Sequence, residues 1–474
     1  ADFICLRVLV LDRFWTNNLS ISIGKLIHLR YLDISECSVN KLFQESIPLL
    51  YNLQTLKLEN IKSGLSKNLR KLINLRHLEF YRIHDIQQIP SHIGKLIHLQ
   101  TLSEFAVGIE KGCKIEELGP LKNLKGALNL TNLEKVQSKE EARAAKLVEK
   151  KNLHHLLFHW TFFYKEGEYD KYNKVQVLEG LQPHKNLQSL NISGFRGEVL
   201  PNSTFVENLV DIHLFNCKRC EVLPMLGQLP NLKKLEISLL DSLRSIGNEF
   251  YGIDSNQRNY FAFPQLKKFY IDGMKNLEKW DELITPNLFG SLKNFSILGC
   301  DKLTKLPGGI ESCQSIEYLS IHQCPNLMLN VQNLHNLYRL DINGMKRLPE
   351  GLGGLTNLKE LVISGRMQNY ESSDNAATQL PQQLQHLTNL EVLMIADFDS
   401  IEALPEWLGN LTSLRTLSFL DCKNLKELPS REAMLCLTKL DDLLVFRCPK
   451  LLVGEGDQEG PKLSHLPTKC VCKM

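Results

Sequence analysis

Apolar positions along this chain fall into one recurring phrase. From Leu292 to Pro307 it runs Leu292, Phe295, Ile297, Cys300, Leu303, Leu306, Pro307, and the spacing returns at Leu414, Leu417, Phe419, Cys422, Leu425, Leu428 and Pro429. The alternation at its centre predicts a short strand with two side chains turned inward. The Leu-x-x-Leu-Pro that follows predicts a turn carrying the chain back over the opposite side. A single coil of this kind cannot bury its own apolar face, so neighbours must stack and share one core.

About 18 such phrases open along the chain, first at Leu6, Leu29 and Leu53 and last at Leu414 and Leu440, most of them roughly 21 to 26 residues apart. That period predicts an α/β solenoid: a leucine-rich-repeat horseshoe with a parallel concave β-sheet and an irregular convex side. Four regions follow. Residues 1–110 carry the N-terminal repeats, in which Ile23-Gly24-Lys25-Leu26-Ile27-His28-Leu29 returns almost unchanged at Ile93–Leu99. Residues 111–186 break the rhythm. There Ser138-Lys139-Glu140-Glu141 reads as a capping box opening a helix over 139–151, and Val175–Leu181 as a second short helix. Between them the strand 153–160 is followed by a polar and aromatic stretch, 162–173. Residues 187–453 hold the C-terminal repeats, interrupted by insertions at 246–263 and 366–380, the latter a polar segment predicting a mobile loop. The polar tail 454–474 loses the repeat and reads as a cap or a disordered end.

Composition narrows the setting. The formal charge of +3 over 474 residues implies no general attraction to nucleic acid or anionic membrane. No apolar run reaches the roughly 18 residues of a membrane span. The opening Ala1-Asp2-Phe3 has no basic region ahead of the first strand phrase and no initiator Met, so a signal peptide is not expected and an upstream part is. Cys37, Cys217, Cys300, Cys324, Cys422 and Cys448 share one repeat phase, where a small side chain sits buried under the turn after the strand. Thiols in that role predict a reducing compartment, and hence a cytoplasmic protein, rather than disulfides. Asn-x-Ser/Thr sequons stand at Asn18, Asn129, Asn191, Asn202, Asn294 and Asn410, with Asn191 mid-strand where a glycan fits badly.

Catalytic chemistry finds no footing. G-x-S-x-G, H-E-x-x-H and glycine-rich dinucleotide patterns are absent from the sequence. His154, His155 and His159 read as surface histidines on a strand, and Cys470 and Cys472 lack a second pair at zinc spacing. No enzyme activity, metal or cofactor is expected of this chain. Binding has a rationale instead: side chains between the strand leucines form one row per repeat on the concave face. Those singled out are Tyr31, His77, Tyr81, Trp160, His213, Phe215, Tyr270, Tyr318, His322, Arg339, Met394, Leu420, Leu444 and Phe446. Aromatic, Met and Arg side chains are the types that anchor protein interfaces.

The run Ile115-Glu116-Glu117-Leu118-Gly119-Pro120-Leu121-Lys122-Asn123-Leu124-Lys125-Gly126, with Leu133–Val136, Leu157-Phe158-His159-Trp160, Val177–Leu187 and Lys462–Pro467, resembles the repeat region of plant intracellular immune receptors. More narrowly it resembles the coiled-coil nucleotide-binding leucine-rich-repeat disease-resistance proteins. The resemblance implies a sensor region that meets a pathogen effector, or a guarded host protein, over about 290–453. It also implies that repeats 1–110 contact an upstream nucleotide-binding domain and restrain it at rest. No G-x-x-x-x-G-K-[ST] phosphate loop occurs here, so ATP or ADP belongs to that absent domain and not to this chain. Two other users of such repeats remain open on sequence alone. They are a substrate-receptor subunit of a ubiquitin ligase, which would need an upstream F-box-like helical segment, and an extracellular receptor domain, whose L-x-G-x-I-P coil is not the Leu-Pro phrase seen here.

Overall fold

The structure is a computed structural model that describes residues 4–11, 23–35, 45–59, 67–81, 90–161, 174–252, 262–281, 288–365, 380–452, 460–463 and 471–473. Asn18, Cys37, the 162–173 stretch, Cys470 and nearly all of the 366–380 insertion lie outside them. The chain divides into two compact units, Ala1–Pro224 and Met225–Met474.

In the first unit Val8–Val10 (β1), Tyr31–Ile34 (β2), Thr55–Glu59 (β3), His77–Tyr81 (β4) and Thr101–Leu102 (β5) form a parallel sheet in chain order. Glu104–Ala106 (β6), Lys125–Thr131 (β7), Asn152–His159 (β8), Ser189–Ser193 (β9) and Asp211–Phe215 (β10) follow in the same order and sense. The region that breaks the sequence rhythm thus still contributes rungs. In the second unit Lys234–Ser238 (β11), Lys268–Asp272 (β13), Asn294–Leu298 (β15), Tyr318–His322 (β16), Arg339–Asn343 (β17), Glu360–Ser364 (β18), Val392–Ala396 (β19), Thr416–Leu420 (β20) and Asp442–Phe446 (β21) are parallel neighbours. Ser245–Ile246 (β12) and Lys279–Trp280 (β14) pair separately on the return side. The tail does not lose the repeat altogether: Val471–Lys473 (β22) pairs in parallel with β21, giving the last rung's backbone a partner.

Register explains the core. Phe269, Phe295, Leu319, Leu340, Leu361, Leu393, Leu417 and Leu443 stand in one column across adjacent strands, all fully buried. Ile271, Ile297, Ile321, Ile342, Ile363, Ile395, Phe419 and Val445 form a parallel column two residues on. Burying one such side chain contributes about 1.5–3 kcal/mol, and each rung completes the cover of the one before. After the strand the chain reverses through a left-handed residue: Asn216, Leu239, Gly273, Gly299, Gln323, Gly344, Asp397, Asp421 and Arg447 all have positive φ. Beneath these turns Cys217, Cys300, Cys324, Cys422 and Cys448 are buried free thiols, several donating to carbonyls of the neighbouring rung. Burial pushes the Cys217 thiol up to about 12, which keeps it protonated and inert.

The expected helix over 139–151 is shorter than its pattern. Ser138 Oγ caps the helix by accepting from Glu141 N at 3.1 Å, while the Glu141 carboxylate accepts at 2.9 Å from Gln137 N, one residue before the cap, where the capping box would have used Ser138 N. The helix spans only Lys139–Arg143 (α1), because Lys146 turns left-handed at φ 51° and a 3-10 turn follows at Leu147–Glu149. Its partner is Lys174–Gly180 (α2), one residue earlier than expected. A Cβ on Gly180 would come within 2.5 Å of the Lys139 carbonyl oxygen, so this close helix contact requires glycine.

Lys150 follows the 3-10 turn, and its side chain is buried. Its Nζ donates to the Leu118 and Leu121 carbonyls at 2.8 and 3.0 Å, closing the end of the preceding coil. Burial pulls its pKa from the ordinary 10.5 down to about 8. The unfolded chain therefore binds more protons than the folded one between those values, and stability rises with pH across that window. Denaturant titrations from pH 7 to 10.5 are expected to show this rise, on the order of 1–3 kcal/mol, in the native chain and to lose it in Lys150→Met. Parallel pH profiles for the two proteins would contradict it.

Candidate functional site

Along the five-residue strands β17–β20 the second and fourth residues enter the core and the first, third and fifth lie on the opposite side, so those residues line up in register as columns. In the first unit Tyr31 donates to Asp33 Oδ2 at 3.1 Å, and His77 Nδ1 lies 3.0 Å from Thr101 Oγ1. His77 titrates below its ordinary value through burial and then the Lys125 charge, and His159 does so through burial. His213 is 3.2 Å from Asn191 Nδ2 and tilts against Phe215 with ring centroids 5.8 Å apart. Tyr81 ends β4, and its side chain lies outside the described residues.

Trp160 corrects the sequence assignment. It is fully buried, sharing the inward parity of Leu156 and Phe158, and packs edge-on against Phe195 at 5.2 Å. It belongs to the core and not to the outward face. Of its histidine neighbours, His155 is exposed and His159 half-buried, with Nδ1 at 3.2 Å from Ser193 Oγ. Among the described residues no three His, Cys, Asp or Glu side chains gather into a metal-binding group.

The second unit brings most of the predicted residues onto one surface. Tyr270 faces outward on β13. Further along, the Arg339 guanidinium lies 5.7 Å from the centre of the Tyr318 ring, donates to Glu360 at 3.0 Å and stands 3.8 Å from Asp341. His322 Nε2 meets Asp341 Oδ1 at 2.9 Å. The guanidinium NH groups and His322 are thus met by carboxylates, while the buried Arg339 Nε has no hydrogen-bond partner among the described residues. Beyond them the face turns apolar: Val362, Met394 and Leu444 lie on the middle column, interrupted by buried Ser418. Ala396, Leu420 and Phe446 occupy the next column, and Val392 flanks them. Val362, Val392 and Ala396 were not singled out from sequence, although Val362 and Ala396 hold the strand positions of Met394 and Leu420, and Val392 that of Tyr318 and Arg339.

A second apolar feature lies in the first unit, on the turns that enter the strands. Ile27, Tyr51, Ile73 and Ile97 occupy one phase of successive coils and are 44, 53, 60 and 52% exposed. Asn52 and Asn74 donate to the Ile27 and Tyr51 carbonyls at 2.8 and 2.9 Å, and Asn123 to that of Ile97 at 3.2 Å, which fixes these backbones side by side. The following coils place Lys122 and Lys151 at this phase, so the ridge ends there.

With this geometry the family matches agree. One family model, R13L1/DRL21 LRRs, matches residues 115–240 and 357–445, and a second, for leucine-rich repeats of the plant disease resistance protein RPS2-like type, matches 181–324. The chain is a leucine-rich-repeat region of the plant disease-resistance family. It is 34% identical over 371 residues to the disease resistance protein RGA1 of Solanum bulbocastanum, covering 76% of this chain and 36% of that one. With RGA2 of the same plant it shares 36% identity over 283 residues, covering 57% of this chain and 26% of RGA2. The disease-resistance repeats described here thus span about a quarter to a third of these relatives' length. Among solved structures, a chain of the Toll–Spätzle complex of Drosophila superposes with a TM-score of 0.54 at 16% identity, over 93% of this chain and 60% of that one, which supports the fold alone. Among the described residues no helix is long and apolar enough to cross a membrane.

Proposed function

We propose that this disease-resistance repeat region is the ligand-sensing part of a plant intracellular immune receptor. Its outward sheet face over β18–β21 grips a pathogen effector, or a host protein that the receptor guards. The observation that carries this reading is the apolar patch of Val362, Val392, Met394, Leu420, Leu444 and Phe446 on adjacent strands. A purely structural sheet face gains nothing from such a cluster in water, whereas interface cores are built from these side chains. Tyr270, Tyr318, His322 and Arg339 supply a polar margin, and His213 and Phe215 a similar pair in the first unit.

The ridge of Ile27, Tyr51, Ile73 and Ile97 supports a second role for the N-terminal repeats, contact with the receptor's own nucleotide-binding domain. A ligand that binds the sheet face better when that contact is broken shifts the population toward the active form. Co-precipitation with candidate effectors tests the sheet assignment. Met394→Ala and Leu444→Asp are expected to weaken capture by about tenfold or more, in line with losses of 1–2 kcal/mol or above at interface anchors. Capture that survives both changes in folded protein rejects the face as the binding surface.

A further inference from the structure

Just ahead of and at the start of β17–β21, the sheet edge of the second unit pairs opposite charges across rungs. Lys359 meets Glu391 at 2.6 Å, Arg415 meets Asp441 at 3.2 Å and Arg339 meets Glu360 at 3.0 Å, so opposite signs alternate along this edge. At β11, β13 and β15 the alternation fails. Lys233, Lys267 and Lys293 succeed one another just ahead of these strands, tied rung to rung by backbone hydrogen bonds of 2.9 Å. One residue on, Lys234 lies directly opposite Lys268. Lys234 is met by Glu236 at 2.9 Å and Lys293 by Glu317 at 2.6 Å. Lys233, Lys267 and Lys268 are exposed and form no ion pair among the described residues. Like charges placed opposite one another oppose strand pairing, so folding alone gives no reason to keep them.

We infer that these lysine rows are a docking surface for an acidic segment of a protein partner. Rungs about 4.8 Å apart set the rows within a patch about 10 Å long, which suits a few carboxylates on a short segment. A nucleic acid fits less well, because its continuous line of phosphates would run past the patch onto the bordering acids. Glu236 and Asp272 stand on the same strands, and burial raises the Asp272 carboxyl above its ordinary value. Tyr270, between them on β13, offers an aromatic face beside the ammonium groups. This surface rests on the protein-recognition reading only in taking a protein as partner. It is separate from the apolar patch, and its test needs no effector.

The test is fluorescence anisotropy of the whole chain with a labelled peptide carrying four glutamates flanked by leucines. Affinity is expected to fall about tenfold in Lys233→Glu/Lys267→Glu/Lys268→Glu and to weaken steeply with salt, while Lys426→Glu, a lysine paired elsewhere, leaves it unchanged. A peptide with four lysines in place of the glutamates is expected to bind the triple variant better than the native chain. Circular dichroism confirms that each variant is folded. Unchanged peptide affinity in the folded triple variant, or tighter binding of a thymidine oligonucleotide of equal charge, overturns the inference.

Discussion

Trp160→Ala is expected to destabilise the first unit by about 3–5 kcal/mol, the range for removing a buried aromatic, while leaving the partner affinity of the folded fraction intact. The indole has no exposed surface, and its backbone N–H extends the ladder to the Ser193 carbonyl at 2.9 Å. Phe195, which it meets edge-on, would lose its main aromatic neighbour and line a cavity. One feature limits the native contribution: the Trp160 Nε1–H is buried without a partner among the described residues. Trp160→Phe removes that orphan donor together with part of the ring, so its cost should be well below that of alanine. Denaturant titration of the three proteins checks the order, and co-precipitation checks the affinity. A folded alanine variant that loses its partner would return Trp160 to the outward face.

Much of this fold was legible because two periods coincide. Alternation inside each strand and the Leu spacing between strands both demand the same inward residues, so phrases such as Leu292–Pro307 leave one solution. Legibility failed where local geometry resets the count. In β8 the ladder against β7 shifts at Gly126 and Ala127, so that Leu153 and Leu156 both enter the core despite opposite parity. Trp160 then follows Leu156 and Phe158 inward. The 139–151 helix failed differently, since its apolar spacing continues through Ala145 and Leu147 while the left-handed Lys146 breaks the backbone. Nothing in a periodicity announces that. The outward residues were legible only by type: sequence puts Arg339 and Tyr318 among the residues between strand leucines, but their mutual contact depends on register. So does the concentration of apolar side chains at β18–β21, which no single phrase displays.

Phe269→Ala is expected to cost about 3–5 kcal/mol, near the top of that range, and to loosen the second unit locally. In the ladder of inward leucines, β13 and β15 substitute phenylalanine, and Phe269 stands at the centre of an aromatic cluster. Its ring lies 5.7 Å from Phe295, 5.8 Å from Trp280, 6.1 Å from Phe289, 6.3 Å from Phe250 and 6.4 Å from Phe263. Phe250 and Phe263 bound a stretch that reads in sequence as an insertion, yet both are buried, and Asn248–Tyr251 forms a helical turn beneath the sheet. The cluster also holds the Trp280 Nε1–H bond to the Tyr251 hydroxyl at 2.7 Å, so its one polar pair is satisfied. Removing the central ring withdraws contact from those five rings at once, and they are too large to collapse into the space. Stability in a stacked-repeat protein passes mainly between neighbouring rungs. Hydrogen exchange should therefore accelerate at β11, β13, β15 and β16 in the variant and stay unchanged at β2–β4. Uniform acceleration along the chain would mean that the repeats open together, and that the aromatic cluster stabilises the whole stack and not its own rungs.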